Sequence, residues 1–209
     1  MPCNMIKDLI LDILFPKKCA GCGKESSYVC KKCEMYMLDV PEAIGLTALW
    51  EYNGIVKQLI HRIKFNGEYD IIKELVNKKD FDVAENAIIT YVPMHIKKQR
   101  KRGFNQAEII AKEISKKLDK PVVKMLEKIK QTKDQASLNK EARLKNPKGC
   151  FSAVETRPLK KLRSLIRGRV SVLLVDDVYT SGATMQECSK VLHKAGIEKV
   201  WGFVIARTV

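Results

Sequence analysis

The stretch that most narrows the fold is residues 172–184, V-L-L-V-D-D-V-Y-T-S-G-A-T. Four successive apolar residues without polar alternation read as a strand buried on both faces, as in a parallel sheet. Two acids end the run. A turn of hydroxyls and glycine then leads into a helix over 184–195. Hydroxyls and backbone N–H groups converge at the start of that helix, where the dipole favours an anion. Gly182 lets the backbone approach such an anion without a Cβ in the way. Asp176 and Asp177 stand where vicinal hydroxyls of a sugar can donate to them. An acid pair alone would be weak evidence, because acids at strand ends also hold Mg²⁺ in unrelated folds. The following T-S-G-A-T turns the reading towards a phosphate cradle formed by Thr180, Ser181, Gly182, Ala183 and Thr184.

The rest of the chain fits around that strand. Strand patterns occur at 43–52, 87–93, 121–126 and 199–206, with an edge strand at 150–154. Helical spacing occurs at 54–67, 69–77 and 105–118. Alternating strands and helices predict an α/β fold: a mostly parallel sheet with helices on both faces. Ligands of such sheets bind beyond the carboxyl ends of the strands, so the places to search are 93–106, 130–149 and 176–184. Residues 1–40 read as a separate module and 41–209 as the main domain. Within the first, Ile6, Leu9, Ile10, Ile13 and Leu14 fall at helical spacing. Lys7, Asp8 and Asp12 interrupt any secretory leader, and no apolar run reaches the ~20 residues of a membrane span. The expectation is a cytoplasmic protein. Its first helix docks on the protein's own core, with peripheral membrane contact as the alternative.

The seven cysteines are unevenly spread. Cys19, Cys22, Cys30 and Cys33 form two Cys-x-x-Cys turns, four soft ligands suited to tetrahedral zinc. The site lacks a spare carboxylate or histidine, so a structural role is expected. A disulfide pair or a redox motif is the alternative, and a cytosolic chain disfavours the first. Cys3, Cys150 and Cys188 read as small buried residues. His61, His95 and His193 show no metal-ligand spacing.

Residues 172–184 resemble the phosphoribosyl-pyrophosphate (PRPP) motif of type I phosphoribosyltransferases. That resemblance implies that Asp176 and Asp177 hold the ribose hydroxyls and that Thr180 to Thr184 hold the 5′-phosphate. The four-cysteine module, W-E-Y-N-G…K-F-N-G at 50–67, V-P-M-H…R-G-F-N-Q-A at 92–107 and K-Q-T-K-D-Q-A-S-L…R-L-K-N at 130–146 extend the likeness. With them the chain is similar to the ComF family, competence-associated proteins related to phosphoribosyltransferases. Lys130, where arginine is expected, and Tyr179, where an aliphatic residue is common, are small departures. The implied cofactors are Mg²⁺ with PRPP and structural zinc.

Thirty-nine lysines and arginines against 24 acids give a net charge of +15, which favours anionic partners over neutral ones. Lys97, Lys98, Arg100, Lys101 and Arg102 form a loop after the 87–93 strand. In a transferase Lys98, Arg100 and Arg102 would grip pyrophosphate, with Arg102 counted as catalytic beside Asp176 and Asp177. Asn105 and Gln106 open the next helix. Residues 130–149, with Arg143 and Asn146, fit a flap over the ligand. The basic run 157–169 suits phosphate-backbone contact with single-stranded DNA. Aromatic residues are only 7% of the chain, which argues against a base-stacking platform. Two functions follow. One is a PRPP- and Mg²⁺-binding protein that supports uptake or processing of single-stranded DNA in transformation, alongside other competence proteins. The other is an active phosphoribosyltransferase of nucleotide metabolism. A generic zinc-ribbon nucleic-acid binder leaves 172–184 unexplained.

Overall fold

The structure is a computed structural model that describes residues 16–41, 43–132, 146–154 and 171–209. The expected first helix, Arg143 of the flap and the basic run 157–169 lie outside the described residues.

Four parallel strands form the main sheet: β1 (Leu46–Glu51), β6 (Lys199–Arg207), β5 (Ser171–Tyr179) and β2 (Ala87–Tyr91), in that spatial order. Beyond β2, Ile89 pairs with Val122, through Ile89 N to Pro121 O and Val123 N to Ile89 O, each 2.9 Å. The strands read as apolar runs because both faces are covered. Leu173 and Val175 of β5, Ile89 of β2 and Phe203 and Ile205 of β6 face one core; Val172, Leu174, Ile88 and Val204 face another.

The first core is covered by α2 (Gly54–Asn66), α3 (Asp70–Asn77) and α5 (Gln106–Leu118). Val56, Leu59, Ile60 and Ile63 of α2 lie on one helical stripe, as do Ile71, Ile72, Leu75 and Val76 of α3. The second core lies under α6 (Ala183–Lys194) and a small antiparallel pair, β3 (Leu126–Lys128) with β4 (Phe151–Ala153). The cysteine module, with its single-turn helix α1 (Lys31–Glu34), joins the first core. Cys19, Tyr28, Val29, Cys33 and Met37 are buried with Trp50, Leu59 and Ile63.

Two expectations need correction. The strand pattern at 121–126 divides. Its first residues extend the main sheet, then the chain leaves to form β3, with the Met125 amide donating to Thr90 Oγ1 at 3.3 Å. The basic loop is a helix, α4 (Ile96–Arg102), starting at His95, whose Nδ1 accepts from the Lys97 amide. None of its residues is buried. A helix that buries no residue fully has no apolar period to betray it.

Candidate functional site

The site begins with unequal strand lengths. β5 and β6 stay in register to Tyr179 opposite Arg207, but β2 stops at Tyr91, opposite Val175. The Val92 amide makes the closing bond to Val175 O at 2.9 Å. From Asp176 onward β5 therefore lacks a strand neighbour on the β2 side, at the carboxyl end of the sheet where parallel sheets have their ligand crevice. Successive side chains point to opposite faces. Asp177 thus turns towards α2 and α5, and Asp176 turns towards β3 and α6.

Asp177 is buried and well held. Its Oδ2 accepts from Lys64 Nζ of α2 at 2.8 Å and from Gln106 Nε2 of α5 at 2.9 Å. Arg102 Nη1 donates to Gln106 Oε1 at 2.9 Å, and its guanidinium lies 5.7 Å from the Phe65 ring centroid. Burial pulls against the Lys64 charge, but Asp177, and Asp176 after it, hold the ammonium above the ordinary lysine range. Burial, then the Asp177 charge, pushes the Asp176 carboxyl up to about 7. The Asp177 amide, which donates to Asp176 Oδ1 at 2.9 Å, and the charges of Lys64 and Lys128 oppose that rise. Lys128, at the end of β3, is itself lowered by burial and feels both Asp176 and Lys98. Two cations, Lys64 and Lys128, thus act on the acid pair, and Arg102 stands one hydrogen bond further out, on Gln106. Carboxylate oxygens are the hard donors that Mg²⁺ prefers, so the acid pair suits that ion by donor type.

The turn after β5 supplies the other half of the site. Gly182 has φ +73° and precedes the first residue of α6. A Cβ there would also fall 2.2 Å from the Tyr179 hydroxyl, so a side chain is doubly excluded. Thr180 and Ser181 are half-buried, and Thr208 Oγ1 reaches the Thr180 carbonyl at 3.4 Å, tying the turn to the end of β6. The first-turn amides of α6 have no intrahelical acceptors and sum with its dipole to favour an anion.

A second constellation lies on the first core. The sulfurs of Cys19, Cys22, Cys30 and Cys33 are all within 4.8 Å of one another. Cys22 and Cys30 Sγ are 3.8 Å apart, the separation that two ~2.3 Å Zn–S bonds at a tetrahedral angle give. Burial would raise the Cys19 thiol, but the amides of Cys30, Cys22 and Gly21, with the Cys33 thiol, bring it down to about 6. Burial and the three neighbouring cysteines push Cys33 up to about 12. Such crowding of thiolates suits a metal cation. Gly21 is required here too, since a Cβ would stand 2.7 Å from Cys33 Sγ. These four residues can hold a metal such as zinc. Both Cys-x-x-Cys turns converge on one point, as their spacing predicts.

The model of the phosphoribosyl transferase domain matches residues 104–207. Competence protein F of Haemophilus influenzae is 30% identical over 200 residues, covering 90% of this chain and 84% of that protein. The chain belongs to the ComF family. Competence protein ComFC of Bacillus subtilis is 25% identical over 91% of this chain and 78% of its own length. The DNA utilization protein YhgH of Escherichia coli is 24% identical over 91% and 84%.

In this ComF-family chain the expected residues do not all converge. Asp176, Asp177 and the Thr180–Thr184 turn follow one another at the end of β5, the two acids on opposite faces of the sheet. Arg102 joins this site through Gln106 rather than by pointing at the acids. Lys98 reaches it through the field at Lys128, while Arg100 is exposed on α4. Sequence reasoning missed Lys64 and Lys128. The only signal for Lys64 was its place in K-F-N-G, one residue past the buried Ile63 of the α2 stripe. Lys128 gave none, being one cation in a polar stretch. Among the described residues, no helix is long and apolar enough to cross a membrane.

Proposed function

We propose that this protein binds PRPP, or a related phosphoribosyl ligand, at Asp176–Thr184 with Mg²⁺, and supports handling of single-stranded DNA during natural transformation. The observation that carries the ligand is the overhang of β5 past β2. It leaves two acids and a helix N-terminus at the same end of the sheet, with Lys64 and Lys128 beside the acids. In this reading Asp176 and Asp177 accept from the ribose hydroxyls. The turn amides and the hydroxyls of Thr180, Ser181 and Thr184 hold the 5′-phosphate. Lys98, Arg100, Arg102 and Lys128 face the pyrophosphate, and bound Mg²⁺ would neutralise further charge there. The names of the relatives supply the biological setting. The DNA reading is supported by α4, seven residues with five cations and none buried. In that reading competence proteins are its partners, zinc at the four cysteines is structural, and the working compartment is the cytoplasm.

A second reading, turnover as a phosphoribosyltransferase, draws on the same cations. Positive charge fixed where pyrophosphate departs would stabilise a leaving group whose charge grows in the transition state.

Calorimetric titration of PRPP into zinc-replete protein, with and without Mg²⁺, tests the ligand. Saturable binding that Asp177→Ala abolishes is expected. Absence of binding would remove PRPP and leave the basic surface as the leading account. Release of pyrophosphate on adding candidate acceptors would establish turnover. For DNA, log affinity should fall with log salt, and replacing the five α4 cations by alanine should shallow the slope by about 0.7 per lost contact.

A further inference from the structure

We propose that Lys64 is the built-in counter-cation of the acid pair, and that it makes Asp177 a poor seat for a bare divalent cation. The ion pair is direct, 2.8 Å, between side chains only 23% and 11% exposed. The same oxygen is shared with Gln106 Nε2, and Asp176 Oδ1 is taken by the Asp177 amide. A hydrated Mg²⁺ gives up water reluctantly. To sit on this pair alone it would have to shed water and expel a half-buried ammonium. Lys128 opposes it too, since its charge also acts on Asp176. Two cations against two acids leave little net attraction for a dication.

The geometry also leaves the lysine free to exchange partners. Its helix is pinned by Leu59, Ile60 and Ile63, all buried, so α2 cannot turn. The four-carbon stem can still swing. An anionic ligand entering the crevice offers the ammonium a phosphate in place of Asp177, and the acid is released for the ligand's hydroxyls or its metal. Lys64 is thus a positioning residue that couples metal entry to anion entry. The statement about the bare cation stands on the geometry alone. The exchange on ligand entry rests on the phosphoribosyl reading.

The test uses Mn²⁺ as the probe, with zinc-replete full-length protein and free Mn²⁺ read by electron paramagnetic resonance. Wild type should take up Mn²⁺ weakly. Lys64→Met should bind it about tenfold more tightly or better, because one positive charge at contact distance has gone. Lys64→Arg keeps the charge and should behave as wild type. Lys64→Met with Asp177→Asn should lose the gain. Wild type binding Mn²⁺ as tightly as Lys64→Met overturns the proposal, as does a gain that survives Asp177→Asn. Should Lys64→Met fail to fold, wild type against Asp177→Asn still decides: tight Mn²⁺ binding by wild type that Asp177→Asn removes overturns the idea, and its absence supports it. Adding PRPP should then draw Mn²⁺ into wild type. If it does not, while Lys64→Met binds as expected, the lysine keeps its role and the phosphoribosyl reading falls.

Discussion

Asp176 has the largest pH consequence of any single residue at the crevice. Its carboxyl titrates near 7 in the folded protein against an ordinary value of 3.8. The folded state therefore holds this proton more tightly than the unfolded chain does. Its contribution to stability is full below the unfolded value, falls as pH rises from about 4 to about 7, and is flat above. The melting temperature should drop between about pH 4 and about pH 7, and less so in Asp176→Asn. Equal slopes would show that Asp176 is not a raised acid. Gly182 makes a second residue-scale prediction. A left-handed non-glycine residue costs roughly 1–2 kcal/mol. Gly182→Ala also drives its Cβ against the Tyr179 hydroxyl. Thermal denaturation should show at least that loss, and an unchanged midpoint would mean the turn is built differently. Both aspartates and the glycine were readable in the sequence, because each belongs to a short contiguous pattern.

Among the elements, the contact between α3 and the cysteine turns matters most. Glu74 of α3 accepts the amides of Tyr28 and Val29 with its two oxygens, at 3.1 and 3.0 Å. Arg62 of α2 donates to Lys18 O at 2.7 Å and is fixed by Glu68. Glutamine at position 74 keeps one acceptor and turns a donor on the other amide. In protein loaded with zinc, Glu74→Gln should cost about 1–3 kcal/mol in denaturant unfolding without changing the zinc content. Metal loss at unchanged stability would mean the contact serves the ligands rather than the packing. The elements were legible where burial is periodic: α2, α3, α5 and the buried strands follow their apolar patterns. α4 was not, since none of its residues is buried, and β3 was not, since its three residues carry too short a pattern to show which sheet they join.

For the whole molecule, the consequence lies in the shared core. Cys19 and Cys33 are buried in the same cluster as Trp50, Leu59, Ile63 and Phe203. Removing metal from the cysteines should therefore lower the melting of the entire chain in one transition, rather than melt a small module ahead of an unaffected remainder. Calorimetry with and without a chelator distinguishes the two outcomes, and an unshifted main transition would show that the module is energetically separate. By itself the sequence determined what short-range pattern can encode: the parallel strand, its acid pair, the glycine turn into α6 and the four sulfurs. These are set by alternation, helical period and turn chemistry within a dozen residues or so. Only the tertiary structure decided which charges meet. Gln106 and Asp177 are 71 residues apart in the chain and 2.9 Å apart in space. Lys64 looks like any solvated lysine until α2 packs across the end of β5. Coulomb attraction depends on separation through space, and that separation exists only once the sheet has been assembled.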